Sequence, residues 1–379
     1  RSGLQFEAAR VLGLSPWAAF RRVALPAARP AIAGGLALVL METLADFGVV
    51  EYFGVPTFST GIFRTWAGLG DTTAAMRLAA IMLLFVALLV GFEQAGRRGR
   101  VHDDARQRAP EIRLHGWRAA AASACCAFPV LFGFAVPLSI LVWLKIDSGG
   151  DALFGEAFVG FLVNSVRVSA TAALIATALA LLLAYAGRLN RSAASDALIR
   201  FGTLGYALPG MLLAIGLLGP LGFVDRGLTR WLVKTFEYQG GLVLSGTTAL
   251  LVYAYVCRFL TVSFNSVQGG FTSISGAMDD AARTLGASPA GVVRRVHLPL
   301  LSPSILAAAL LVFVDTMREL PATLMLRPFD FETLATRVYR LASDERLAEA
   351  STAAICIVAV GIIPVLLLER VGRSGSTRR

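Results

Sequence analysis

Apolar runs of about 20 residues recur along the chain, separated by short polar and Arg-rich stretches. Each is long enough to cross a hydrocarbon core about 30 Å thick as a helix. The pattern predicts eight spans: Pro30–Phe53, Ala74–Gln94, Ala119–Leu144, Phe158–Tyr185, Phe201–Leu221, Leu242–Val267, Ser304–Met325 and Ala348–Leu368. The short alternating segments of a membrane β-barrel are missing, so the expected class is an all-α polytopic membrane protein. Pro129, Pro137 and Pro209 fall inside predicted spans, where neighbouring helices can satisfy the freed backbone groups.

The polar stretches sort by charge. Arg97–Arg118 holds seven Arg against three acids and reads as a cytoplasmic linker, 97–118, between two halves. Residues 1–96 then carry two spans, and 119–370 carry six, with a short cytoplasmic tail at 371–379. Alternation puts the linker, Arg188–Arg200 and the tail on one side, which gathers most Arg there, as the positive-inside rule requires. Asp147–Glu156 and Asp225–Gly241 fall outside, and the Gly-, Thr- and aromatic-rich Gly54–Asp71 is an outer loop or a short re-entrant piece.

One polar stretch occurs twice. Glu7–Ile32 and Asp280–Ile305 align without a gap at an offset of 273, with 14 of 26 positions identical. In each copy an acidic-Ala-Ala triplet (Glu7-Ala8-Ala9, Asp280-Ala281-Ala282) sits on a short predicted helix broken by Gly13 or Gly286. Ser15-Pro16 or Ser288-Pro289 starts a second helix, with Ser as cap and Pro in the first turn. Arg21-Arg22 or Arg294-Arg295 lie on it, and Leu25-Pro26 or Leu298-Pro299 is expected to end it and turn the chain back to the bilayer. Loops normally drift, so a duplicated basic knob suggests two equivalent docking points for a two-fold partner. Several spans precede the second copy and none the first, so the N-terminal half is expected to be incomplete.

The same offset pairs Glu42 with Asp315, Asp46 with Glu319 and Arg64 with Arg337. Glu42 with Asp46, and Asp315 with Glu319, are spaced to share one helix face. Glu42 lies roughly 18 Å along a helix from Pro30, at a depth where acids are costly and often functional. Two readings stand: the four acids line a path for a cation, or they are structural, paired with Arg318 or capping broken helix ends.

Composition narrows the choice. The chain is 56% hydrophobic and 16% charged, with mean hydropathy +0.67, against about 25% charged in soluble domains. The net charge of +10 sits in loops between spans and does not call for nucleic acid. The four cysteines lie in apolar segments without metal-ligand spacing, and no metal site is expected. The only lysines, Lys145 and Lys234, are preceded by Leu and Val, so no Gly-Lys-Ser/Thr phosphate loop exists. ATP hydrolysis would belong to another chain, and no catalytic motif makes this one an enzyme.

The repeated residues resemble the EAA loop of importer-type ABC permeases: EAA, three residues, Gly, nine residues, Ile-x-Leu-Pro. Both copies keep the spacing through Val23-Ala24-Leu25-Pro26 and Val296-His297-Leu298-Pro299, with Asp280 for Glu and Val for Ile. The resemblance implies two halves of the MetI-like permease fold, the second loop covering 276–299. It further implies an ATPase subunit, as a homodimer, docked on both loops at the cytoplasmic face of a bacterial inner membrane. ATP and Mg would sit on that subunit, and no cofactor on this chain. A periplasmic or lipoprotein substrate-binding protein would deliver the solute. Two loops on one chain imply a fused permease, as in importers of ferric iron, thiamine and polyamines. Glu42–Asp71, Tyr206–Leu217 and Arg318–Tyr339 look most like the ferric-iron group. An ion-coupled secondary transporter also has repeats and broken helices, but it has no use for duplicated docking loops.

Overall fold

A computed structural model of the chain describes residues 9, 11–97, 114–147, 156–189, 192–237, 241 and 243–376. Glu7, Ala8 and most of the 97–118 linker lie outside the described residues. Among the described residues all regular structure is helical. Seven helices among the described residues are long and apolar enough to cross a membrane, and an eighth is counted when the bent pair Trp17–Arg29 and Ala31–Ala45 is taken as one span. That pair bends by 55° where the sequence places Pro30. The chain divides into two compact units, Arg1–Leu44 with Ala80–Ile140, and Ala45–Ala79 with Leu141–Arg379.

In the larger unit the helices Glu156–Leu189, Thr248–Thr272 and Leu298–Met317 form the centre. Ala172, Ala176, Ala180 and Ala184 recur every four residues along the first of these and are all buried. Small residues in one row let helix backbones approach closely where lipid offers no hydrophobic drive to association. Ala180 and Ala184 pack against Leu260, Phe264, Val267, Leu301 and Ala308. Leu174 and Leu182 on the same helix are exposed, as an apolar face turned to lipid requires.

Several boundaries differ from the sequence expectation. The predicted Phe201–Leu221 span is instead a short helix, Ala193–Gly202, a 3-10 turn at Gly205–Ala207, and a long helix, Gly210–Phe236. Pro209 starts that helix rather than interrupting one, because a proline's missing N–H costs nothing at a helix entry. The expected outer loop Asp225–Gly241 is helical as far as Phe236. Asp225 is fully buried, and its carboxylate accepts the backbone N–H groups of Val243, Leu244 and Ser245 at 2.7, 3.0 and 2.7 Å. Gly54–Asp71 is also largely helical, with Phe58–Phe63 running into a wide turn at Arg64–Gly68.

The repeat persists beyond the loops but changes register. Thr57 and Thr60 cap Phe58–Phe63 reciprocally, and Thr333 and Thr336 do the same for Leu334–Ser343. The offset here is 276, so Arg64 corresponds to Arg340 and not to Arg337. Three extra residues between Leu326 and Thr333 account for the slip. Each of these arginines pairs with a glutamate, Arg64 with Glu51 at 3.2 Å and Arg340 with Glu332. The equivalent rings Phe63 and Tyr339 meet at 6.5 Å, and both touch Phe47.

Candidate functional site

Each copy of the repeated loop folds the same way. Gly13 and Gly286 take φ of +86° and +81°, a left-handed conformation open to glycine at little cost. Each follows helical residues, Val11 in the first copy and Thr284 in the second, and is spanned by a six-residue return. Leu14 N–H donates to the Ala9 carbonyl at 3.1 Å, and Ala287 N–H to that of Ala282 at 3.0 Å. Ser15 Oγ then accepts from Ala18 N–H at 3.3 Å, and Ser288 Oγ from Gly291 N–H at 3.2 Å, the expected helix caps.

The next step departs from expectation. Phe20–Ala24 and Val293–His297 are single π-helical turns, in which Leu25 N–H reaches back to Phe20 O and Leu298 N–H to Val293 O. The chain then continues as the helices Leu25–Ala45 and Leu298–Met317. Leu25-Pro26 and Leu298-Pro299 therefore do not end a helix. A proline has no N–H for the ordinary ladder, and the wider turn makes room for its ring. Helical backbone therefore runs from knob into span through the Leu-Pro pair in each copy, and in the first copy it then bends by 55° at Pro30.

The knob presents a consistent surface. Leu12 and Leu285, just before the glycines, are 83% and 87% exposed. Arg21, Arg22, Arg294, Arg295, Asp280 and Ala281 are exposed as well. Ala19 and Val292, at equivalent positions, are buried beneath. Each knob therefore presents an exposed leucine beside an exposed arginine pair.

The second loop is tied to its spans by charge. Asp279 Oδ2 accepts from Arg188 Nε at 3.0 Å, and Asp279 Oδ1 lies 2.8 Å from His297 Nε2. Burial alone would push the Asp279 carboxyl up, but hydrogen bonds from His297 and Arg188 outweigh it and hold it below the usual carboxylate value. His297 is 3% exposed, so it is not the solvated loop residue its position suggests.

The four membrane acids do not form matched faces. The helix Leu25–Ala45 stops before Asp46, and Leu298–Met317 stops before Glu319, so neither pair shares one helical face. In the second case Pro321 cannot continue the ladder. Glu319 is buried, bonded to Arg258 Nη1 at 3.0 Å, and accepts Ala322 N–H at 3.1 Å at the start of Pro321–Leu326. Asp315 pairs with Arg318 at 2.8 Å. Glu42 is exposed and Asp46 half-buried. Sequence reasoning passed over Arg258, although an arginine within an apolar run was a signal of a buried partner. It also passed over Asp279, which is masked by its acidic neighbour Asp280.

Membrane-length helices and a loop that occurs twice are the setting in which the comparisons fall. The chain belongs to the family of binding-protein-dependent transport system inner membrane components, which it matches over residues 4–94 and 176–373. It is a multi-pass inner-membrane protein. Over 368 residues it is 27% identical to the Fe(3+)-transport system permease protein FbpB 2 of Haemophilus influenzae, covering 95% of this chain and 69% of that protein. It is 26% identical over 394 residues to the probable ABC transporter permease protein y4fN of Sinorhizobium fredii, covering 96% and 66%. Over 201 residues, 48% of this chain and 76% of the relative, it is 28% identical to the putative 2-aminoethylphosphonate transport system permease protein PhnV of Salmonella typhimurium. Its fold is similar to a chain in the crystal structure of a bacterial alginate ABC transporter in complex with a periplasmic protein. The TM-score is 0.55 at 16% identity, over 68% of this chain and 94% of that one.

Proposed function

We propose that the chain is the membrane-spanning permease of an ATP-driven importer that takes up ferric iron from a periplasmic binding protein. The observation that carries the reading is the matching glycine turn, serine cap and wide turn of the two loops, each leading into a span and bearing an exposed leucine and an arginine pair. Each knob seats in a groove of one copy of a homodimeric ATPase, which holds the ATP and Mg. Nucleotide-driven closure of the dimer levers the attached spans, and the binding protein releases its cargo into the opened path. Residues 1–96 and 119–370 act as the two halves, joined by the cytoplasmic linker 97–118. Glu42, Asp46 and Asp315 are candidates for weak, transient contacts to a cation, which must be released as readily as it is bound.

The ferric cargo rests on the relatives named for Fe(3+) transport and on the segments that resemble that group. A phosphonate, thiamine or polyamine cargo is the competing reading within the same class. Proteoliposomes containing the chain and its ATPase, supplied with binding protein and radioactive ferric iron, separate them. ATP-dependent accumulation of iron is expected, undiminished by excess 2-aminoethylphosphonate, thiamine or spermidine. Accumulation of one of those solutes without iron would replace the cargo, and failure to retain any ATPase subunit would remove the class.

A further inference from the structure

We infer that Arg188, Asp279 and His297 form a positioning joint that fastens the second loop to the membrane helices. The inference rests on the permease reading above. Asp279 lies in the first turn of Gly276–Thr284, the helix that carries the acidic-Ala-Ala triplet. Its two oxygens face opposite ways, one to Arg188 at the end of Glu156–Leu189, the other to His297 in the wide turn that opens Leu298–Met317. Arg188 does a second job. Its Nη1 donates to the carbonyls of Phe271 and Ile274 at 3.4 and 3.2 Å, at the end of Thr248–Thr272, and it stacks on the Phe271 ring. One carboxylate and one guanidinium therefore bind together the ends of three spans and the loop helix.

Aromatic packing immobilises the joint. The His297 ring stands edge-on between Tyr185 and Phe271, at 5.9 and 5.7 Å. Charge-assisted hydrogen bonds within such partly buried surroundings are stronger than neutral ones and hold direction as well as distance. At the offset of 273 the first loop's counterparts of Asp279 and His297 are Phe6 and Ala24, neither of which offers a side-chain hydrogen bond. Movement at the second knob thus passes directly into the helices Glu156–Leu189 and Thr248–Thr272.

Labelling tests the joint without reference to cargo. Native cysteines are replaced, and Cys is placed at Thr248, exposed at the far end of Thr248–Thr272. Maleimide labelling of the ATPase-bound complex is timed without nucleotide and after vanadate trapping. In the parent the trapped state should change the rate about tenfold, and Asp279→Asn or Arg188→Gln should abolish that change while ATP hydrolysis stays within about twofold. The double variant should be no worse than either single one, as for two members of one contact. Arg188→Lys keeps the charge but not the fork, is the milder variant for folding, and should retain part of the response. A nucleotide-dependent rate that survives Asp279→Asn, or single effects that simply add, would overturn the joint. A complex that assembles and hydrolyses ATP but carries no iron speaks against the cargo alone.

Discussion

Gly210 lies so close to Arg258 that a Cβ on the glycine would stand 2.1 Å from Nη1, and 2.3 Å from Oε1 of Glu319. The start of Gly210–Phe236 is therefore pressed onto the buried ion pair, and any side chain there must displace it. Gly210→Ala should lower stability by about 1–3 kcal/mol. Gly216→Ala, on the same helix with nothing within 4 Å of its Cβ position, should be neutral or slightly stabilising. Thermal unfolding of the detergent-solubilised protein compares the two, and equal melting points would contradict the close approach.

Glu319 and the other three acids should respond differently to neutralisation. Removing one partner of a buried pair leaves the other uncompensated, so Glu319→Gln should cost about 3 kcal/mol and reduce the folded yield. Neutralising Glu42, Asp46 and Asp315 to Gln or Asn should instead lower uptake per folded transporter. Uptake that tracks the folded amount in every variant would reassign all four acids to structure.

The glycines of the two knobs have open space around them, so only backbone conformation resists substitution. Gly13→Ala and Gly286→Ala should each strain the loop by roughly 1 kcal/mol. Asn tolerates the left-handed region better and should be milder. Retention of the ATPase on immobilised permease is the readout. Full retention in the double Ala variant would show that this turn is not needed for docking.

Asp225 should matter to the segment that follows its helix. Asp225→Asn removes the charge while leaving one acceptor oxygen for three N–H groups, a loss of about 1–3 kcal/mol. Faster hydrogen exchange at Val243, Leu244 and Ser245 is the expected local sign, and unchanged protection there would rule the staple out.

Asp279 gives a pH signature. Its folded-state pKa is lowered from 3.8, so its stabilising contribution is present above that value and is lost as pH falls through the folded one. The melting-point gap between the parent and Asp279→Asn should stay level from neutral pH down to about 4 and shrink below it. A gap that already closes between neutrality and that point would mean the carboxylate is not held low.

The helical class and the approximate place of each span were legible because lipid imposes a length and a composition on every crossing. The fifth span was displaced because Phe201–Pro209 is apolar yet rich in Gly and Pro, while the real helix continues through Asp225, Arg226 and Arg230. Charge normally ends a span, and here a buried carboxylate is satisfied by backbone that arrives 18 residues later. The loop motif was legible down to its Ser caps and glycine turns, which are local. Its continuity with the span was not, because Leu-Pro reads as a stop unless the preceding turn is known to widen. Arg188–Asp279 and Arg258–Glu319 join residues 91 and 61 apart and leave no periodic trace.

Carrying two copies of the loop on one polypeptide also alters what a single mutation can do. In a permease made of two identical subunits every substitution appears twice, so a change useful at one knob must be tolerable at both. Here the codons for Phe6 and Asp279, or Ala24 and His297, are inherited separately. An acid and a histidine in one copy can therefore stand against Phe and Ala in the other, and each copy is open to selection one site at a time.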